Sequence, residues 1–137
     1  MRLSLLAIVL LSFVAMGQDS NYTVTLKENE TLGSYLADDM GFALYFFAED
    51  APGNESSACY GDCAANWPPF FAAEIIVPAK LDASDFAAMV RDDGTVQMTY
   101  KGWPLYTFVD DISPGDVNGQ GISGLWSVVN PERFPLA

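Results

Sequence analysis

Two aspartates occupy equivalent places in a chain of 137 residues that contains no histidine. Asp50 closes the segment Gly41-Phe42-Ala43-Leu44-Tyr45-Phe46-Phe47-Ala48-Glu49-Asp50. Asp111 closes Gly102-Trp103-Pro104-Leu105-Tyr106-Thr107-Phe108-Val109-Asp110-Asp111, which starts 61 residues later. Paired carboxylates are what glycoside hydrolysis or a hard cation requires. A pseudo-twofold axis between the two segments would let them converge. The competing role is structural: each carboxylate would accept backbone N–H bonds in an Asx-turn ahead of Pro52-Gly53 or Pro114-Gly115. Capping is the stronger reading because both residues stand at the start of a turn. The missing histidine excludes Ser–His–Asp and Cys–His relays, His-ligated zinc, blue copper and c-type haem attachment. Any general acid–base work would fall to carboxylates, tyrosines or lysines.

Cys59 and Cys63 are the only cysteines, with Gly61 between them. In an exported chain their default is a disulfide. A redox dithiol wants C-x-x-C spacing and a nearby cation, whereas the neighbour here is Asp62. Asp116-Val117-Asn118-Gly119-Gln120-Gly121 resembles the start of a calcium loop, but position 12 is Ser127 in place of a bidentate Glu. The simpler reading is a Gly-rich turn leading into the Trp126 strand, with weak calcium binding through Asp110, Asp111 and Asp116 as the alternative left open. Met40, Met89 and Met98 with a thiol pair are the only soft set for Cu(I). The aromatics Tyr45, Phe47, Trp67, Trp103, Tyr106, Phe108 and Trp126 suit either a stacking groove or, more simply, a small β core. Phe46 and Thr107 alternate with them and should face the other way. That marks Phe46, Phe70 and Phe71 as candidate exposed apolar surface for a partner.

The elements that would carry these residues read as β. Tyr22–Lys27 alternates, Leu32–Leu36 is a second run, and Asp38-Asp39-Met40-Gly41 turns the chain into the aromatic run Phe42–Ala48. Ala88–Arg91, Asp92-Asp93-Gly94 and Thr95–Tyr100 read as a hairpin. Lys101-Gly102 turns the chain again into Trp103–Val109, and Leu125–Val129 is the last strand. Only Ala83–Met89 has helical character, with Asp82 or Ser84 as its cap. The pattern predicts an all-β antiparallel barrel or sandwich built from a duplicated strand–loop–strand unit, with at most one short helix. The repeats span about 32–71 and 88–131 of one domain, 18–131, and 132–137 forms a loose tail.

Tyr45-x-Phe47-x-x-Asp50 and Tyr106-x-Phe108-x-x-Asp111 resemble the Yx(FWY)xxD signature of a family of predicted secreted lipoproteins, also described as a secreted repeat of unknown function. Cys59-Tyr60-Gly61-Asp62-Cys63-Ala64-Ala65-Asn66-Trp67-Pro68-Pro69 is similar to the family's C-x-G-x-C-A-x-x-W-P-P segment. Tyr100–Tyr106 and Pro114–Gly121 are similar to its second half, and the resemblance runs from about Leu32 to Pro131. It implies an extracellular or cell-envelope protein and no particular activity. Many members carry a lipidated cysteine, and no cysteine follows the N-terminal apolar run here.

That run is itself informative. Arg2, then Leu3 to Met16, then Ala15-Met16-Gly17 have the three parts of a signal peptide over residues 1–17, cleaved before Gln18. At about 14 residues the run is short of the roughly 20 that a spanning helix needs, and no second stretch is long enough. Without Arg2 the mature chain holds 5 basic and 18 acidic residues, a net charge of −13. Such a charge excludes an electrostatic grip on nucleic acid or anionic lipid. Asn21, Asn29 and Asn54 head N-x-[ST] sequons that a secreted chain could present for glycosylation. Together these features favour a secreted, non-catalytic binding or structural protein with no cofactor. Its expected partners are a cell-wall polymer, an envelope protein or itself. A hydrolase using Asp50 and Asp111, or a metal or electron-transfer accessory, are the competing classes.

Overall fold

A computed structural model describes residues 21–135. The segment 1–17, expected from the sequence to be a signal peptide, and the last residues of the expected tail, 136–137, lie outside the described residues. The chain opens with a hairpin of β1 (Val24–Asn29) and β2 (Gly33–Asp38), paired antiparallel with Leu26 opposite Leu36. Its turn is held by the Asn29 side chain, whose Oδ1 accepts the N–H groups of Thr31 and Leu32. The second repeat repeats the plan with β4 (Phe86–Val90) and β5 (Val96–Tyr100), Ala88 opposite Met98. There Asp93 Oδ1 accepts from the Thr95 N–H and hydroxyl, and Gly94 takes the left-handed conformation that the turn requires.

The signature segments follow each hairpin. β3 (Tyr45–Phe47) pairs antiparallel with β7 (Trp126–Val128), at the end of the other repeat. In the second repeat β6 (Trp103–Pro104) continues the β5 sheet, and Tyr106 forms isolated bridges to Tyr45 and to Pro69. The expected strand Trp103–Val109 is therefore cut short. Its partner is Pro68-Pro69, and neither proline has an N–H to give to a ladder. The result is all-β: small antiparallel sheets in a sandwich-like arrangement, without a closed barrel among the described residues.

Three expectations need correction. Ala83–Met89 is not a helix. Asp82 caps a single 3-10 turn, Ala83–Asp85, and the chain then enters β4, because pairing with β5 buries Phe86 and Met89. The one α-helix among the described residues is α1 (Asp62–Asn66), which starts at the end of the Cys59–Cys63 loop and runs past it. Phe46 does face away from Tyr45 and Phe47, yet it is only 4% exposed. The strand is covered on both faces, Phe46 by a cluster with Leu36, Leu44, Leu105 and Tyr100, and its neighbours by a second cluster. Phe70 is buried as well, and of that trio only Phe71 is exposed. Finally, the tail is not loose through Phe134, whose ring packs edge-on against Phe46, Tyr100 and Trp103 at 4.8, 5.4 and 6.0 Å.

Candidate functional site

The backbone of each signature segment is held by the other repeat. Tyr45 and Tyr106 exchange N–H···O bonds of 2.8 and 3.0 Å across the centre of the molecule. Around this pair the bonds recur in matched sets. Val129 donates to Leu44 and Phe70 donates to Leu105; Ala48 donates to Leu125 and Val109 donates to Asn66; Leu36 donates to Val129 and Met98 donates to Phe70. The Pro-Gly loops obey the same exchange. The Gly53 N–H reaches the Gly102 carbonyl at 3.0 Å, and the Gly115 N–H reaches that of Gly41 at 3.2 Å.

The side chains complete the pattern. The Tyr45 hydroxyl donates to Asp111 Oδ2 at 2.7 Å, and the Tyr106 hydroxyl donates to Asp50 Oδ2 at 2.7 Å. Each tyrosine thus serves the aspartate of the opposite repeat. The second oxygens span their own loops: Asp50 Oδ1 accepts the Ala58 N–H at 2.7 Å and Asp111 Oδ1 accepts the Asn118 N–H at 2.9 Å. These bonds reach eight and seven residues ahead, so the loop-capping role is of longer range than an Asx-turn. All four side chains are buried, the aspartates at 6 and 8% exposure. Burial lifts both carboxyls above the ordinary carboxylate range, and their hydrogen bonds pull the other way. Burial also pushes both phenols well above their ordinary value, with the adjacent carboxylates acting in the same direction.

Between the tyrosines lies a stack of four rings. Trp67 and Trp126, one from each repeat, are parallel at 3.8 Å. Phe108 stacks on the outer face of Trp67 at 4.1 Å and Phe47 on that of Trp126 at 4.2 Å. Tyr45 meets Trp67 edge-on and Tyr106 meets Trp126 in the same way. Gly119 lets this core close. A Cβ there would lie 2.6 Å from Trp67 and 2.9 Å from Tyr45, and its N–H donates to the Tyr45 hydroxyl at 3.1 Å. The aromatics therefore form a core rather than an open stacking groove.

Cys59 and Cys63 are joined in a disulfide, with Cys59 fully buried in the Trp67–Trp126 cluster. No thiol pair remains to join the methionines, which are themselves scattered: Met89 and Met98 are buried and Met40 stands in solvent. The Cu(I) set does not assemble. Asp110 is exposed, Asp111 has both oxygens engaged, and Asp116 Oδ2 accepts the N–H groups of Ile112 and Ser113. Among the described residues no three acidic or thiol groups are placed to hold a metal ion. Asn21 and Asn54 are exposed, while Asn29 is half-buried with its carbonyl oxygen spent on the hairpin turn.

Sequence reasoning missed Arg91 and Gln97. The Arg91 guanidinium is buried, donates to Gln97 Oε1 and to the Cys59 carbonyl, and lies 4.4 Å from the centre of the Tyr60 ring. Gln97 passes the chain on by donating to the Leu105 carbonyl at 2.7 Å. This network ties the disulfide loop to the β4–β5 hairpin. The available signal was a glutamine in the middle of a short strand beside one of the few basic residues. A local pattern does not say which of the two faces is covered.

The profile of the family described as a secreted repeat of unknown function, Lipoprotein_15, matches residues 28–70 and 87–130, more than half of the chain. The chain belongs to this family of secreted repeats, and the two matched segments are the two halves that exchange bonds here. No curated protein and no solved structure matches it. No helix among the described residues is long and apolar enough to cross a membrane.

Proposed function

We propose that this member of the secreted-repeat family is a non-catalytic binding or structural module of the cell envelope, in which the signature residues build the fold and the outer surface does the work. The observation that carries this reading is the consumption of the signature. Tyr45, Tyr106, Asp50 and Asp111 spend their polar atoms on one another, on backbone N–H groups and, for Tyr106, on the Ser57 hydroxyl at 2.7 Å, in burial. A general acid or nucleophile must reach a substrate atom within hydrogen-bond distance. These carboxylates have no free oxygen to offer. The family's description supports an extracellular place for the module. Its partner classes are a wall polymer, an envelope protein or a second copy, and the acidic surface makes nucleic acid an unsuitable one.

The test compares Asp50→Asn with Asp111→Asn on purified mature protein, reading thermal stability and turnover of cell-wall glycans side by side. The expected result is reduced stability in both and no turnover in the parent to lose. Turnover abolished by either substitution with stability intact would establish the carboxylate hydrolase instead.

A further inference from the structure

The two ends of this pseudo-symmetric molecule are not dressed alike. Met40 precedes Gly41 as Lys101 precedes Gly102, and Val109 and Ile112 flank Asp111 as Ala48 and Ala51 flank Asp50. At one end, then, stand a lysine and two alanines. At the other stand three large apolar side chains that are 67, 48 and 76% exposed. The first end shows that the repeat closes without large apolar groups at these positions. Phe47 is buried at 7% exposure, while its counterpart Phe108 is only half-buried. Phe108 joins Phe42, Thr107, Val109, Asp38 and Asp111 around a cavity of about 260 Å³. Met40 belongs to the turn between two of these residues, and Ile112 follows a third. Exposed apolar side chains grouped beside an aromatic-walled cavity are the usual mark of an interaction site.

The backbone under the patch is fixed. Asp38 Oδ1 accepts the N–H groups of Met40 and Phe42, each at 2.9 Å. Asp116 Oδ2 accepts those of Ile112 and Ser113, each at 2.9 Å. The two turns are clamped together where Gly115 donates to Gly41. A site held ready in this way loses little entropy on binding. Its rim is acidic, with exposed Asp39 next to Met40 and exposed Asp110 next to Val109. One cation, Lys27, reaches Gly41 beside it. Charge chooses the occupant. A second copy would bring the same acidic rim into contact, on a chain of net charge −12. An anionic lipid surface is repelled in the same way.

We infer that Met40, Phe108, Val109 and Ile112 form a docking patch for a partner-protein segment that carries aliphatic side chains interspersed with lysine or arginine. The inference rests on the non-catalytic reading above and gives that reading a site. The apolar side chains of the segment would cover Val109 and Ile112 and enter the cavity at Phe108. Its cations would lie along Asp39 and Asp110, which favours cationic partners over acidic ones.

The test titrates isotope-labelled mature protein with three short synthetic peptides and follows the complex by NMR. The peptides alternate lysine with leucine, lysine with serine, and glutamate with leucine. The lysine–leucine peptide should shift Met40, Phe108, Val109 and Ile112 selectively. Val109→Ala with Ile112→Ala copies the other end of the molecule onto this one, at exposed positions that do not hold the fold. It should weaken that binding at least about tenfold, as expected from losing several buried methyl groups. The lysine–serine peptide should be weaker by a similar factor, and the glutamate–leucine peptide should not bind. Equal binding of both lysine peptides, shifts spread over the whole acidic surface, or an unaffected double variant would overturn the patch. Flotation with neutral lipid vesicles, or a dimer in sedimentation that the double variant abolishes, would replace the peptide by a membrane or a second copy. None of these outcomes bears on catalysis, which the glycan assay decides separately.

Discussion

Removing one hydroxyl from Tyr45 should cost more than most single-atom deletions. In Tyr45→Phe the ring stays in the stack, but Asp111 Oδ2 loses its 2.7 Å donor and the Gly119 N–H loses its acceptor. A hydrogen bond to a charged group contributes about 1.5–3 kcal/mol net, and a buried donor left unpaired costs about 1–3 kcal/mol. With Tyr45 fully buried and Asp111 nearly so, the substitution should destabilise by roughly 3–5 kcal/mol, a large part of what a domain of this size has. Asp111→Asn should cost less. It keeps an acceptor for the Asn118 N–H and removes a charge from a buried place. The informative quantity is the coupling in the double-mutant cycle, expected at about 1.5–3 kcal/mol across two residues 66 positions apart. Urea unfolding with the disulfide intact measures all four corners. A coupling below about 0.5 kcal/mol, the ordinary limit of additivity, would refute the reasoning. It would mean that the tyrosine and aspartate of opposite repeats do not support one another.

Three further outcomes follow from the same geometry. Gly119→Ala should destabilise by about 1–3 kcal/mol or more through overpacking against Trp67 and Tyr45; Gly115→Ala, where a Cβ meets open space but φ is +95°, should cost only about 1 kcal/mol, and chemical denaturation compares the two. Reducing the Cys59–Cys63 bond, which closes a loop between residues only four apart, should lower stability by about 2 kcal/mol without unfolding the chain; loss of the folded spectrum on reduction alone would contradict this. Burial raises the Asp50 and Asp111 pKa above the unfolded value of 3.8, so the folded state holds these protons more tightly. Their contribution to stability therefore rises as pH falls from above the raised values to 3.8. Thermal melts over that window should show the midpoint climbing on acidification, and the Asp50→Asn, Asp111→Asn pair should flatten the climb.

The duplicated motif, the cysteine pair and the β4–β5 hairpin were legible because each is written in local residues: Tyr-x-Phe-x-x-Asp twice, a small exported loop, Asp-Asp-Gly between alternating runs. What lay beyond local pattern was the choice of partner. Nothing in Tyr45-Phe46-Phe47 says that its ladder partner is Trp126–Val128 of the other repeat, or that its hydroxyl belongs to Asp111. Period-two alternation assigns opposite faces to Phe46 and Phe47 correctly, but it cannot tell a solvated face from a second covered one, and here both are covered. The helical pattern at Ala83–Met89 lost to the pairing of Phe86 with Tyr100, a contact 14 residues away. Phe134 fell in a stretch rich in proline that reads as a tail, and its docking depends on a pocket built by Phe46 of one repeat and by Tyr100 and Trp103 at a turn of the other.

The central claim is that the two repeats are one interlocked unit, each completing the other. Native-state hydrogen exchange across a series of sub-denaturing urea concentrations tests it most directly. The amides to follow are those of Leu36, Tyr45 and Val129 on one side of the exchange and Met98, Tyr106 and Phe70 on the other, all donors in the cross-repeat bonds. Interlocking predicts that their opening free energies converge on a single isotherm equal to the global stability. Two isotherms, with the bonds around one repeat opening at a lower energy while those around the other stay protected, would contradict the account.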